Sequence, residues 1–167
     1  MDKIRIALIG GGPSALSIVK KLVCSQPSKF SVDIFERNAA LGKGMPYSAD
    51  GASLEHITNI SSDELSPFNE TLAEWLGKQN QQMLAAYGIN KATLHAKQVV
   101  PRLLFGIYLA EQFTSLLLEG EQKGLTTYIH LNTNVVDIVP NQDGQTSDVL
   151  LTTGRVKGFD KVIVCTG

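Results

Sequence analysis

The stretch Ile4-Arg5-Ile6-Ala7-Leu8-Ile9-Gly10-Gly11-Gly12-Pro13-Ser14-Ala15 decides the fold of this chain. Its first half, residues 4–9, is a mainly apolar run that predicts a short strand. Its second half, residues 10–15, follows the pattern G-x-G-x-x-A, whose glycines let a chain turn tightly off a strand and approach a pyrophosphate closely. A strand that leads directly into this pattern predicts the first unit of a dinucleotide-binding fold.

The residues after the turn complete a strand–helix–strand unit. Apolar residues recur at helical spacing from Ala15 to Val23, which predicts a helix that ends near Pro27. Residues 31–36 predict a second strand with the carboxylate of Glu36 at its end. An acidic residue about 20 positions beyond the glycines is where this fold binds a ribose diol. The three elements together favour a nucleotide site over a glycine turn in an ordinary α/β core.

The residue types of this unit suit a bound dinucleotide. Gly10 permits the tight turn, Gly12 leaves room for a pyrophosphate, and Ala15 lets the helix pack closely on the sheet. Pro13 fits at the helix start, because its missing N–H removes no helical hydrogen bond there. The free N–H groups of the first helical turn would face the phosphates.

The end of the second strand bears on which ribose is bound. Glu36 can accept hydrogen bonds from a ribose diol and would repel a 2′-phosphate. The neighbouring Arg37 would attract such a phosphate. The sequence therefore favours an unphosphorylated ribose and leaves the other form open.

The composition indicates one folded domain. Of 167 residues, 43% are hydrophobic and 19% are charged, which is enough to bury a core of average size. Fifteen basic against sixteen acidic residues give no electrostatic footprint for nucleic acid. No apolar run approaches the ~20 residues of a membrane span, and the first apolar stretch ends in the glycine turn without a cleavage site. We therefore expect a cytoplasmic protein with neither a nucleic-acid nor a membrane partner.

Cysteines and histidines give no sign of a metal site. Cys24 and Cys165 are too far apart in sequence for a C-x-x-C pair, and we expect both to be small core residues. His56, His95 and His130 occur singly, without metal-binding spacing. We predict no bound metal.

The middle of the chain predicts a helical insertion over about residues 61–124. A Ser-Pro pair at Ser66 is a typical helix start, and the short apolar face that follows ends near Gly77. A longer helix begins at Pro101 and runs to the end of the insertion. A simple mononucleotide-binding half would return to the sheet within a few residues, so this insertion sets the chain apart.

The last third of the chain predicts short strands separated by turns. They are residues 128–131, 135–139, 149–152 and 161–164. The first three form a β-meander over about residues 126–158, with Gly154 in a turn. We therefore predict an α/β, Rossmann-like fold with a parallel sheet, a helical insertion and a β-meander, as a single domain over residues 1–167.

Three further stretches carry a resemblance to a known class of proteins. They are Gly42-Lys43-Gly44-Met45-Pro46-Tyr47, Ile57-Thr58-Asn59-Ile60 and Pro101-Arg102-Leu103-Leu104-Phe105-Gly106-Ile107-Tyr108-Leu109. Over its whole length the chain resembles the N-terminal FAD-binding part of the two-dinucleotide-binding-domain flavoproteins, which include glutathione reductase and the flavin monooxygenases. Within that class it is similar to a bacterial group of FAD/NAD(P)-binding proteins, somewhat similar to the ornithine and lysine N-hydroxylases. The resemblance implies the FAD/NAD(P)-binding form of the Rossmann-like fold.

The resemblance also implies a set of cofactor-binding residues. The glycine turn would hold the pyrophosphate of FAD, Glu36 its adenosine ribose, and backbone groups of Val135 its adenine. The residues that match at the turn and the helix start are Gly10, Gly12, Pro13, Ser14 and Ala15. Those that match the second FAD motif are Arg37, Gly42 and Gly44. The last strand ends in Cys165-Thr166-Gly167, which matches the A-T-G motif of the class with Cys in place of Ala.

Two more residues have two interpretations each. Arg102 at a helix start would face flavin or phosphate, as a matching arginine does in related flavoproteins, or would be a solvated surface residue. Asn59 would lie against the flavin or cap a local turn.

The resemblance implies the FAD-binding domain of an NAD(P)H-dependent flavin oxidoreductase that acts on an unidentified small molecule. The lack of a C-x-x-C pair argues against a disulfide reductase and leaves monooxygenase-like or dehydrogenase chemistry. No residue is identified as catalytic. Two alternatives stay open, a non-catalytic dinucleotide-binding module and a plain NAD-dependent dehydrogenase domain. The β-meander favours FAD over the second alternative.

The end of the sequence coincides with the A-T-G-like motif, which predicts an N-terminal fragment of a longer chain. Related flavoproteins continue from this motif into an NAD(P)H-binding domain. We therefore expect the parent protein to be the enzyme and its catalytic residues to lie beyond Gly167. By itself, this chain is expected to be folded, mostly colourless and inactive, and to self-associate through the face where the missing part docks.

Overall fold

The computed structural model describes residues 2–59, 61–65, 67–95 and 97–166, and its order is a strand–helix–strand unit, three helices and then five strands. The strands are β1 (Ile4–Ile9), β2 (Phe30–Phe35), β3 (Thr126–His130), β4 (Val135–Pro140), β5 (Ser147–Leu151), β6 (Gly154–Phe159) and β7 (Lys161–Val164). The helices are α1 (Pro13–Val23), α2 (Leu72–Lys78), α3 (Gln81–Ala85) and α4 (Arg102–Gln122). Short 3₁₀ turns cover Pro27–Lys29, Met45–Tyr47 and Lys91–Thr93. Within these ranges, no helix has the length and apolar character that crossing a membrane requires.

A parallel sheet with the order β3-β2-β1-β7 forms the centre of the fold. In β1, one of the two inner strands, Ala7 lies opposite Asp33 of β2 and Val162 of β7. On the far side of β2, Asp33 lies opposite Tyr128 of β3. Because the four strands are parallel, their carboxyl ends meet at one edge, which is where ligands bind in sheets of this kind.

Alternate side chains of β1 belong to two separate cores. Ile6 and Leu8 are buried in a large cluster with α1 and α4. Ala7 and Ile9 are buried in a second cluster with Phe159 of β6. Successive residues of a strand point to opposite faces, so a mainly apolar strand is what a sheet covered on both faces requires.

The long helix α4 connects β2 to β3. Parallel neighbours need such a crossover, and α4 packs beside α1 on the same face of the sheet. Its 21 residues include the buried side chains of Leu104, Tyr108 and Leu116. The structure thus places this helix in the crossover, whereas the sequence interpretation counted it within one insertion over about 61–124.

The meander is shorter than the sequence suggests. β4, β5 and β6 form a three-stranded antiparallel sheet. The run 128–131 was predicted as its first strand, but β3 pairs in parallel with β2. Nothing in the local pattern of a short strand specifies its partner. β6 was not predicted because its first residue is a glycine, Gly154, and glycine is typical of turns. In the structure Gly154 has a φ of +150° and begins the strand.

The short helix of the insertion begins later than predicted. Thr71 and Glu74 form a capping box, in which Thr71 Oγ1 accepts from the Glu74 N–H at 3.1 Å and Glu74 Oε2 accepts from the Thr71 N–H at 2.8 Å. This box satisfies two N–H groups reciprocally and fixes the start of α2 at Leu72. The predicted cap, Ser66, lies outside the described residues.

The two cysteines differ in environment. Cys165 is buried, but Cys24 is exposed, so its prediction as a core residue is wrong. Cys24 is the C-cap of α1, one position beyond Val23, the last buried residue of that helix.

α4 contacts the 3₁₀ turn Met45–Tyr47 through a glycine. A Cβ added at Gly106 would lie 2.0 Å from the carbonyl oxygen of Tyr47. The Tyr47 ring also packs edge-on against Phe105, with ring centroids 5.0 Å apart. The missing side chain therefore lets this turn lie directly on the helix.

We expect Gly106→Ala to destabilise the protein by about 1–3 kcal/mol, because the new methyl group must displace backbone. Gly77→Ala is the matched control, since Gly77 is also helical and has nothing within 4 Å of an added Cβ. That change should stabilise by about 0.4–1 kcal/mol. Urea unfolding of the two variants measures both values, and equal stabilities would contradict the proposed contact.

Candidate functional site

A cleft opens at the carboxyl edge of the parallel sheet, where β1, β2 and β7 end. Its volume is about 430 Å³, within the ordinary range of small-molecule sites. Its walls come from the glycine turn, the ends of β2 and β7, the loop after β2 and the start of β4. Segments from both ends of the chain therefore meet at one site.

The glycine turn lies between the ends of β2 and β7. The Gly10 N–H donates to the Phe35 carbonyl at 2.8 Å, and the Cys165 N–H donates to the Ile9 carbonyl at 2.7 Å. Gly10 has a φ of +102°, and an added Cβ would lie 2.7 Å from the Cys165 carbonyl oxygen. Both the conformation and the space at this position require glycine.

The start of α1 faces the cleft, and its first N–H groups are available to a ligand as far as the described residues are concerned. Gly12 is its N-cap residue and Pro13 its first residue, and no described side chain caps this end. The first turn of a helix leaves its N–H groups without intrahelical partners. Together with the positive end of the helix dipole, these groups form a site for an anion such as a phosphate.

Glu36 fastens the glycine turn to the end of β2. Its side chain is buried, and its Oε2 accepts from the Gly11 N–H at 2.8 Å. Its Oε1 accepts from the Asn38 N–H at 2.8 Å. A carboxylate has about four acceptor positions, so capacity remains for a ribose hydroxyl.

A second glycine loop lies on the first. The Gly42 N–H donates to the Gly11 carbonyl at 2.7 Å. A Cβ added at Gly12 would lie 3.4 Å from Gly44 Cα, so the two loops are in close contact. Gly44, Met45 and Pro46 form the opposite wall of the cleft.

The connection between β3 and β4 closes a third side. The Thr133 N–H donates to the Glu36 carbonyl at 2.9 Å. Thr133, Asn134 and Val135 then line the cleft. Val135 is the first residue of β4, so the meander sheet contributes to the site.

Most of the residues that the sequence predicted for the site lie together. Those that line the cleft are Gly10, Gly12, Pro13, Ser14, Glu36, Arg37, Gly44, Val135 and Thr166. Ala15 is completely buried beneath the turn. Gly42 faces α4, since an added Cβ would lie 2.7 Å from Ala110 Cα. Gly167 lies outside the described residues.

Asn59 and Arg102 are not part of this cleft. Asn59 is exposed in the loop after the second glycine turn. The Arg102 N–H donates to the His56 carbonyl at 2.7 Å, and its Nε donates to the Ile57 carbonyl at 3.2 Å. The arginine therefore holds the loop against the start of α4.

Several lining residues were not among those predicted for the site. They are Ile9, Phe35, Asn38, Met45, Pro46, Thr133, Asn134 and Cys165. Six of them directly flank predicted residues in sequence, and Met45, Pro46 and Cys165 lie in motifs that the sequence analysis had already singled out. Cys165 is a wall residue, and burial raises the pKa of its thiol. The described residues contain no group of three or more His, Cys, Asp or Glu side chains that could hold a metal ion.

Sequence comparison identifies relatives along almost the whole chain. A family model described as FAD-NAD(P)-binding matches residues 7–167. A protein of Escherichia coli (strain K12), described as uncharacterized protein YdhS, is 34% identical over 166 residues. That match covers 98% of this chain and 30% of YdhS, so the chain spans about 30% of the length of this relative.

Several solved structures with a similar fold are monooxygenases or an N-hydroxylase. The ornithine N-hydroxylase of Kutzneria sp. 744 has a TM-score of 0.60 and 17% identity, over 99% of this chain and 37% of that one. A flavin monooxygenase of Stenotrophomonas maltophilia has a TM-score of 0.58 and 18% identity, over 100% and 39%. Cyclohexanone monooxygenase of Rhodococcus sp. Phi1, bound to NADP+, has a TM-score of 0.58 and 13% identity, over 100% and 26%. At these identities the likeness concerns the fold, and it confirms the predicted Rossmann-like α/β fold.

We expect Glu36→Gln to destabilise the unliganded protein by about 1–3 kcal/mol, because the amide has one acceptor oxygen for two N–H donors, of which that of Gly11 is buried. Glu74→Gln is the control, since only Oε2 of Glu74 accepts bonds from Thr71 and an amide oxygen can replace it. Chemical unfolding compares the two variants. Equal, small losses would show that Glu36 does not organise the turn.

Proposed function

Because this chain belongs to the FAD-NAD(P)-binding family, we propose that its cleft binds the adenosine and pyrophosphate part of FAD. We further propose that the whole protein is an NAD(P)H-dependent flavin oxidoreductase with monooxygenase-like chemistry and a small-molecule substrate. The Escherichia coli relative supports a bacterial source. We place the protein in the cytoplasm, where its proposed reductant is found.

One observation carries this proposal. The start of α1, which no described side chain caps, and Glu36 line the same cleft, at the carboxyl edge of a parallel sheet. The first feature suits a pyrophosphate and the second suits a ribose diol. The space at Gly12, which an added Cβ would occupy, supports a close approach of the phosphates.

The lining residues divide the proposed ligand between them. We assign the pyrophosphate to Gly10, Gly12, Pro13 and Ser14, and the ribose to Glu36. Two further groups of the wall complete the assignment. Backbone groups of Val135 suit the adenine, and Thr166 lies where the chain passes the cofactor.

Arg37 and the second glycine loop have different proposed roles. Arg37 is exposed and lines the cleft, so it would lie along the adenosine part. Gly44 is a wall residue, whereas Gly42 would act by letting the loop pack on α4. Any contact of Asn59 or Arg102 with the cofactor would involve the flavin end, beyond the cleft.

The chain contributes binding and orientation. When bound, FAD supplies the redox chemistry, because its ring exchanges electrons with NAD(P)H and with a substrate or oxygen. The residues of the cleft would fix the adenosine and pyrophosphate end of the cofactor. Val164 is 59% exposed on the strand at the edge of the sheet, which supports the proposal that the chain self-associates when studied alone.

The full-length protein is expected to be yellow when purified. Its absorbance spectrum should show flavin bands, and denaturation should release FAD. Consumption of NADPH by the coloured protein would support an enzyme over a non-catalytic module. A colourless protein that binds NAD instead would contradict the proposal and favour a dehydrogenase domain.

Two glycine variants separate binding from folding. Gly12→Ala should lower the affinity for FAD at least tenfold, about 1.4 kcal/mol, with little loss of stability, because its Cβ meets only Gly44 at 3.4 Å or more. Gly10→Ala should lower stability as well, because φ is +102° and the Cβ would lie 2.7 Å from the Cys165 carbonyl oxygen. Titration with FAD and urea unfolding measure the two effects. Unchanged FAD affinity in Gly12→Ala would contradict the assignment of the pyrophosphate to this turn.

A further inference from the structure

The ring of His130 is held by an acid at its edge and by an aromatic ring on its face. Its Nε2 lies 2.9 Å from Oδ1 of Asp33. Its plane stacks on Phe35, with ring centroids 4.5 Å apart and planes 8° apart. Carboxylate oxygens accept hydrogen bonds, so Nε2 is the donor. The two contacts together fix both the position and the plane of the imidazole.

The acid that holds His130 is itself anchored. The side chain of Asp33 is 5% exposed, and its Oδ2 lies 3.5 Å from Nη2 of Arg5. The guanidinium of Arg5 lies 4.5 Å from the centre of the Phe159 ring, which comes from the meander sheet. A buried carboxylate with these partners is a rigid support, because moving it would separate a buried charge from its hydrogen-bond and ion-pair partners.

Phe35 connects this support to the cleft. Phe35 is a lining residue of the cleft, and its buried ring meets Phe159 edge-on at a centroid distance of 6.0 Å. Its carbonyl accepts from Gly10, and the next residue, Glu36, donates its N–H to the His130 carbonyl at 2.9 Å. A displacement of His130 would therefore move both Phe35 and the end of β2, where Glu36 lies.

We propose that His130 is a positioning residue for the adenosine part of the bound dinucleotide. The inference rests on the proposed function, which assigns that part to Glu36 and Val135. Phe35 is buried in the cluster against which Val135 packs. His130 lines a separate pocket on the face of the sheet, together with polar residues such as Arg5 and Asp33. It would therefore act on the ligand through Phe35.

The test compares ADP and FAD as probes on the full-length protein. His130→Gln keeps a donor for Asp33 and removes the ring that stacks on Phe35, so the affinity should fall about tenfold. The factor should be the same for both probes, because ADP contains only the adenosine and the two phosphates. Asp33→Asn keeps an acceptor for Nε2 and should retain most of the affinity.

Leu116→Ala controls for a general loss of stability. Leu116 is 2% exposed in the cluster on the other face of the sheet, so this variant should be destabilised while its folded fraction binds ADP normally. An equal loss of affinity in Leu116→Ala would show that the effect of His130 comes from stability alone, and it would overturn the proposal. Unchanged affinity in His130→Gln, or a loss confined to FAD, would also overturn it. Failure of the unchanged protein to bind either probe would contradict the proposed function instead.

A measurement on the unchanged protein covers the case in which His130 variants do not fold. With isotope-labelled histidine, ADP should shift the ring signals of His130, because the ring lies against a wall residue. Signals of the exposed His95 should stay in place. Unmoved His130 signals at saturating ADP would overturn the proposal.

Discussion

The hydrogen bond from the Gly11 N–H to the Glu36 carboxylate holds the site together. It joins the glycine turn after β1 to the end of β2 at 2.8 Å, in a place that solvent hardly reaches. The other carboxylate oxygen binds the Asn38 N–H, so the same side chain also sets the start of the loop that follows. One buried acid thereby orders the turn, the strand end and the first part of the opposite wall.

Glycines let the remaining segments approach this centre. Gly42 brings the second loop onto α4, and Gly106 lets the 3₁₀ turn beside it lie on the same helix. The wall that faces the glycine turn is thus supported by the crossover helix and not by the sheet.

The parts of the structure that were predictable from sequence are those with a local cause. The first 36 residues combine a strand pattern, a glycine turn and a helical repeat, and β1, α1 and β2 lie close to their predicted places. The partner of β3 was not predictable, because pairing with β2 depends on a crossover of about ninety residues and not on the five residues of the strand. The start of α2 was predictable, because Thr71 and Glu74 have the spacing of a capping box. The Ser-Pro pair at Ser66 was preferred as the helix start instead. Whether Arg102 reaches the cleft depends on the path of the loop at His56, which no spacing in the sequence encodes.

The pairing of β1 with β7 has a consequence for how the chain folds. Ile6 lies opposite Lys161, so β1 acquires its second neighbour only when a segment far along the chain is available. Contacts between such distant residues form late and slow the folding of a domain. A chain emerging from the ribosome with its N-terminus first carries one open edge of β1, which is a template for wrong pairing until β7 docks. Because Thr166, a lining residue of the cleft, directly follows β7, the cleft has its complete set of described walls only after β7 has paired with β1.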